Sequence, residues 1–349
     1  MRTTVARACS VRALIDLRSD TVTKPTRAML AAMASAEVGD EQYREDPTVN
    51  ELQRRMAELL GHEAALFLPT ATMSNQVALR AQTRPGSVVL AEERTHILIY
   101  EWGGPAIHSG LVMRGVVADA GRPTPEQIDA DEDLGAGGVV VLENTHRSSG
   151  GRVWPLDEFA AAAAAAHARG AAVHLDGARL FNASVAAGVA PAEWARLADS
   201  VTICFTKGLG CPVGALLAGS EQLIERAWEG KFLLGGAMRQ AGVLAAAALH
   251  ALDHHVERLA DDHLRAGRLA QGLAEAGVPV DVATVETNFV PIPERAGALE
   301  RLEREGVLLD GLRPGFLRAV THLDISDDDV EQAIEAIPAA LEADRRVRA

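Results

Sequence analysis

Cysteine is scarce in this chain of 349 residues, with only Cys9, Cys204 and Cys211 present. They show no paired spacing, which excludes a disulfide framework and points to a reducing cytoplasm. Cys204 and Cys211 are expected to pack as small apolar side chains. Positive charge is also short. Lys and Arg number 34 against 48 Asp and Glu, a formal charge of −14. A nucleic-acid surface needs a basic stripe, so that partner class is excluded, and an anionic membrane surface fits poorly. No apolar run approaches the ~20 residues of a membrane span. The first fourteen residues, MRTTVARACSVRAL, carry three Arg and no acid. They lack the long apolar core of a secretion signal, so a frayed N-terminus over 1–14 is expected. No His/Cys spacing suggests a catalytic metal, and no internal repeat is visible.

What is present is an ordinary globular balance, with 48% hydrophobic and 23% charged residues. The length suits a large domain plus a smaller one. Short apolar runs alternate with helical patterns. Strands are expected at 64–68 (AALFL), 87–90 (SVVL), 138–142 (GVVVL), 172–175 and 201–205, and a helix at 71–81. Seven consecutive alanines at 160–166 sit between Pro155 and Gly170. Alanine is the best helix former, and Pro and Gly mark the start and stop, so 156–169 reads as a helix. Strands alternating with helices imply an α/β fold with a mostly parallel sheet covered on both faces. After about residue 252 the texture changes. A charged helix is expected at 256–276, strands at 287–291 and 318–321, and a closing helix at 330–343. This predicts a large domain over 15–255 and a smaller α+β domain over 256–349.

The segments TICFTKGLG (202–210) and HLDGAR (174–179) carry the chemistry. Each is an apolar strand that breaks into a glycine turn. In an open α/β sheet, ligands sit at the carboxyl ends of the strands. Lys207 and Asp176 are therefore expected to face one crevice. A Schiff-base lysine and an acid for the pyridinium nitrogen are the protein's two main contributions to pyridoxal phosphate (PLP) chemistry. Taken alone, Lys207 reads better as a solvated loop lysine, and Asp176 with Arg179 also reads as an ordinary surface ion pair.

Other candidates are individually weaker. In PTATMSN (69–75), the backbone N–H groups of Ala71 and Thr72 suit an anion at a helix N-terminus. His96 is placed to stack on an aromatic face or to act as acid or base. His146 ends the strand reading GVVVLEN and is a second candidate base. His254 and His255 are expected to face solvent. Arg318 suits bidentate capture of a carboxylate, and Ser19 adds a hydrogen bond.

Together these segments resemble the threonine aldolase family, PLP enzymes of fold type I with an aspartate aminotransferase-like architecture. The resemblance rests on IDLRSDTVT (15–23), GDEQYREDPTVN (39–50), LPTATMSNQ (68–76), HILIYEWGG (96–104), LENTH (142–146), HLDGARLFNA (174–183), KGLGCPVG (207–214) and RAVTHLDIS (318–326). It covers residues 15–345 in order. It implies that Lys207 carries the cofactor, Asp176 pairs with the ring nitrogen, and Arg179 lies near the ring oxygen. It places His96 on the ring and the phosphate on Ala71 and Thr72. Ser19 and Arg318 would bind the carboxylate of an amino-acid substrate, with His146 near its hydroxyl. A cytoplasmic homotetramer is implied, with sites completed across a dimer interface by Tyr43 at the substrate and Arg239 at the cofactor. The N-terminal segment 15–29 would pack on the small domain. The implied reaction is cleavage of L-threonine, L-allo-threonine or a related β-hydroxy-α-amino acid to glycine and an aldehyde. β-Elimination, racemisation and transamination use the same residues and stay open, as does a scaffold built on a decayed enzyme.

Three departures from the family pattern stand out. Ala71 replaces a glycine in the phosphate turn. Phe232 occupies the usual lysine place and Ala237 a glycine place, while Lys231 is expected to point elsewhere. The segment 309–317 (LDGLRPGFL) is unusual and brings in Arg313 as a competitor of Arg318.

Overall fold

The computed structural model describes residues 14–342, so Cys9 and the basic N-terminal segment before Leu14 lie outside the described residues. Twelve strands form among the described residues: β1 (Ile15–Asp16), β2 (Ala64–Leu68), β3 (Val88–Glu92), β4 (Val112–Val116), β5 (Val139–Glu143), β6 (Ala172–Gly177), β7 (Ser200–Cys204), β8 (Ala215–Gly219), β9 (Phe289–Pro293), β10 (Val307–Leu308), β11 (Asp310–Arg313) and β12 (Phe316–Val320). Seven of them build a central sheet in the order β2-β8-β7-β6-β5-β3-β4. Only β8 runs against its neighbours. The α/β, mostly parallel architecture expected from the alternating pattern is thus present.

Strands β3, β5, β7 and β8 are buried along their whole length. A parallel strand covered on both faces must be apolar throughout, which is why such runs were readable. Edge strand β4 (VMRGV) is largely exposed and has neither a run nor an alternation to read. The alanine-rich helix Leu156–Ala168 packs Ala162, Ala163 and Ala166 with Phe159 into the main core.

The parallel strands all deliver their carboxyl ends to one edge. There β2 passes through Thr70 into helix Ala71–Gln82, and β3 leads to His96. Asp176 lies in register with Glu143 on one side and Thr202 on the other. The segment 205–214 between β7 and β8 carries Lys207.

A second apolar cluster joins Leu269, Val290, Leu317 and Ile337 with Ile15 and Leu17. Its strands run β11-β12-β9, all antiparallel, while β1 pairs in parallel with β10. The charged helix begins at Leu259, three residues later than expected. His255, expected in solvent, is instead buried, with Nδ1 2.8 Å from the Leu209 carbonyl. It ties the segment after Lys207 to the end of helix Gly242–His254.

Candidate active site

Strand ends β2, β3, β5, β6 and β7 surround a crevice of about 300 Å³. Lys207 lines it, half-buried, in a turn closed by a 2.8 Å bond from Gly210 N–H to the Lys207 carbonyl. Gly210 adopts φ 76°, a conformation that disfavours other residues. Asp176 faces the same space and is buried. Its Oδ1 accepts from Ala178 N–H at 3.1 Å and its Oδ2 from Asn75 Nδ2 at 2.9 Å. Burial pushes this carboxyl up, but the electrostatics of His96, Lys207 and His174 outweigh burial and lower it. It is therefore an ionised, buried acid at the floor of a crevice.

His96 lies across from it, at the start of the short helix His96–Ile99. Its backbone N–H donates to Glu143 Oε2 at 2.6 Å, and its ring Nδ1 sits 3.0 Å from Glu101 Oε1. The ligand-capable atoms of His96, Glu101 and Asp176 all lie within 4.8 Å of one another. Asn75 bridges the two acids. The sequence reading singled out neither Glu101 nor Asn75. Both stand in quoted segments, but nothing in the spacing showed that they face each other.

Ala71 and Thr72 lie at the rim, in the first turn of a twelve-residue helix. The Thr70 hydroxyl caps Met73 N–H, while the N–H groups ahead of it face the crevice edge as anion donors. The Ala71 side chain leaves these donors in place.

Two arginines close the opposite side. Arg318 on β12 is buried and donates from Nη2 to Asp310 at 3.0 Å, whereas its buried Nε has no hydrogen-bond partner among the described residues. Burial, then repulsion from Arg147 and Arg179, lowers its pKa to about 10. Ser19 lines the crevice beside it and accepts from Thr21 N–H at 3.2 Å. Arg179 also lines the crevice, but its charge is already matched. Its Nε and Nη2 donate to the two oxygens of buried Asp20 at 2.7 and 2.5 Å. Burial would raise the Asp20 carboxyl, yet Arg179 holds it well below the usual carboxylate range. Asp20 is a partner that its place in IDLRSDTVT did not reveal.

Three expected site residues fall elsewhere on this chain. His146 is buried, with Nε2 3.0 Å from Glu92 Oε2, and it accepts from Ser149 N–H at 3.2 Å. It lines a different cavity of about 490 Å³, shared with Arg94, Arg152 and Arg313. Successive residues of the segment after β5 face opposite ways, so Thr145 and Arg147 line the crevice and His146 does not. Tyr43 is 73% exposed, and Arg239 pairs at the surface with Asp40 at 3.0 Å. Arg313 faces the second cavity and donates to the Ser148 carbonyl at 3.0 Å, so it does not compete with Arg318. Lys231 does point away from the crevice. It is fully buried, pairs with Glu41 and donates to the Phe67 carbonyl at 2.7 Å.

Residues 16–294 match the family model described as beta-eliminating lyase. The chain is 42% identical over 329 residues to a low-specificity L-threonine aldolase of Escherichia coli strain K12, covering 91% of this chain and 97% of that one. It superposes on a Leishmania major threonine aldolase with a TM-score of 0.81 at 21% identity, covering 94% and 99% of the two chains. An SPT solved with PLP superposes with a TM-score of 0.73 at 18% identity, covering 95% and 88%.

Proposed function

Because the chain belongs to the beta-eliminating lyase family and has the α/β architecture of PLP fold type I, we propose that it is a PLP-dependent aldehyde-lyase. It cleaves L-threonine, L-allo-threonine or a related β-hydroxy-α-amino acid to glycine and an aldehyde. The observation that carries this reading is the convergence of Lys207, Asp176, His96, Ser19 and Arg318 on one crevice.

The residues present fit PLP. Asp176 is a buried acid with hydrogen bonds but no ion pair among the described residues, which suits a pyridinium N–H. Lys207 offers an amine in the same crevice, and the N–H groups at Ala71 and Thr72 suit a phosphate. His96 would lie on the ring, and Arg179, held by Asp20, would lie near the ring oxygen. When bound, the group supplies an electron sink for the bond broken at Cα.

The protein's own part is orientation and proton handling. Arg318 and Ser19 take the substrate carboxylate, and Asp310 fixes one arm of the guanidinium. Held at the carboxylate, the substrate cannot rotate freely about Cα, which selects the bond that breaks. Proton removal from the β-hydroxyl falls to His96, the histidine that lines the crevice. Acid–base help of this kind is worth ~10²–10⁴-fold.

The same reading divides the chain into a larger unit over 15–255 and a smaller one over 256–349. It also takes the enzyme to be a cytoplasmic homotetramer. Exposed Tyr43, Trp102 and Leu233 support a further interface, at which Tyr43 and Arg239 would reach a neighbouring site. Among the described residues no helix is long and apolar enough to cross a membrane.

The test is product analysis. PLP-loaded protein is incubated separately with L-threonine and L-allo-threonine. Glycine plus acetaldehyde is the expected outcome, and the rate ratio reports selectivity at Cβ. A keto acid would overturn the aldolase reading in favour of β-elimination.

A further inference from the structure

Glu101 is a buried carboxylate beside His96 with no part in the chemistry so far. Its side chain is wholly inaccessible. It accepts from Asn75 Nδ2 at 2.8 Å and Gln76 Nε2 at 2.5 Å, and His96 Nδ1 lies 3.0 Å away. A buried charge is costly unless it is matched by donors, and this one is surrounded by them.

The sense of every bond in the network can be worked out. Asn75 has two amide hydrogens. One goes to Glu101 Oε1 and the other, at 2.9 Å, to Asp176 Oδ2. Asn75 Oδ1 must then accept, and its donor is His174 Nε2 at 3.0 Å. Burial lowers His174 to about 4, so it is neutral at pH 7, and its Nδ1 accepts from the Ser200 hydroxyl at 2.7 Å. Ser200 Oγ in turn accepts from Gln82 Nε2 at 2.8 Å. Hydrogens therefore point from Gln82 inward to the two carboxylates, and both carboxylates act only as acceptors. His96 must place a hydrogen on Nδ1 to complete the set around Glu101. Its Nε2 is the nitrogen left for the crevice.

We propose that Glu101 is a positioning residue that holds His96 as the Nδ1–H tautomer, with Nε2 free to take the proton of the substrate's β-hydroxyl. This rests on the aldol-cleavage reading. The substrate O–H bond breaks and an Nε2–H bond forms. The pair left on oxygen becomes the second C–O bond of the aldehyde as the Cα–Cβ bond breaks. The Cα side is then reprotonated to give glycine. Glu101, 3.0 Å from Nδ1, stabilises the imidazolium, as a buried carboxylate supports histidine in other acid–base pairs. The other titratable groups around His96 are Asp176, Lys207, Glu143, Arg147 and Tyr100.

Glu101→Gln tests this with little risk to the fold. Gln76 Oε1 is buried without a partner, so a flip of that amide offers it to the new NH2 group. Wild type, E101Q, H96N and the H96N/E101Q double variant are loaded with PLP. The absorbance of the bound cofactor is titrated with pH in the absence of substrate, and L-threonine turnover is followed from pH 5.5 to 9. E101Q is expected to keep KM within about twofold, because Arg318 and Ser19 are untouched. Its kcat should fall by roughly 10- to 100-fold. With the counter-charge gone, the acid limb of kcat and the absorbance midpoint should both move about one pH unit lower. H96N/E101Q should be no slower than H96N, and Glu101→Asp should recover part of the shift. The proposal is overturned if E101Q leaves the absorbance midpoint and the acid limb in place, or slows H96N further. The cofactor titration needs no substrate, so it decides the point even if the product analysis rejects aldol cleavage.

Discussion

Replacing Arg318 by lysine separates geometry from charge at the substrate carboxylate. The guanidinium lines the crevice and has one arm on Asp310, while its Nε is buried without a hydrogen-bond partner among the described residues. A lysine keeps a charge but loses the planar fork. A hydrogen bond to a charged group is worth about 1.5–3 kcal/mol, so kcat/KM at pH 7 should fall roughly 10- to 150-fold. The surroundings then add a pH effect. Burial, then repulsion from Arg147 and Arg179, lowers Arg318 to about 10. The same burial and repulsion act against the charge of a lysine at that place, and an ordinary lysine already holds its proton less tightly than an arginine. The variant lysine therefore loses its charge at lower pH than Arg318 does. The assay is kcat/KM for L-threonine at pH 7 and pH 9, with Arg318→Met as the uncharged control. R318K should lose further activity between the two pH values relative to wild type. R318M should show a loss that does not depend on pH. The reasoning is refuted if R318K tracks wild type within twofold at both values, since Arg318 would then not hold the carboxylate.

Further outcomes follow from side chains away from the crevice. His146→Asn should keep turnover within about fivefold of wild type, because His146 faces Glu92 and the second cavity; a hundredfold loss in steady-state kinetics would return it to the site. Lys231→Met should lower stability by about 3–5 kcal/mol in urea unfolding, because it strands the buried Glu41 carboxylate and the Phe67 carbonyl. The double variant K231M/E41L should be less destabilised than K231M alone; equal losses would argue against the pair. Burial holds His174 and His263 down to about 4, below the ordinary 6.5. Between those values the unfolded chain binds more protons, so stability should fall as pH drops from about 6.5 to 4, by roughly 3 kcal/mol for His174 alone. A urea midpoint that does not move between pH 7 and pH 4.5 would contradict this.

Most of the candidate residues that line the crevice were legible because they lie where apolar runs break. Asp176 lies at the carboxyl end of buried β6, and Lys207 follows three residues after buried β7, so both stand at the ligand edge. Ala71 and Thr72 were readable as a strand-to-helix junction. Other features left no such trace. Strand β4 is an exposed edge, and β8 is an antiparallel insertion within a sheet otherwise read as parallel. His146 sits one residue beyond the crevice-lining Thr145, and the chain turns it to the other side. His255 looked like part of a solvated helix and is instead a buried anchor for the Leu209 carbonyl.

The sequence by itself determined the α/β class, the strand ends that carry Lys207 and Asp176, and the family resemblance. These are local matters, because hydrophobic period and turn chemistry act over a few residues. The tertiary structure alone decided the pairings. Asp20 neutralises Arg179 from 159 positions away, Glu41 meets Lys231 across 190, and Asn75 joins Glu101 to Asp176. A buried charge must find a partner once water is removed. Which partner it finds depends on the faces that packing brings together, and no spacing along the chain encodes that directly.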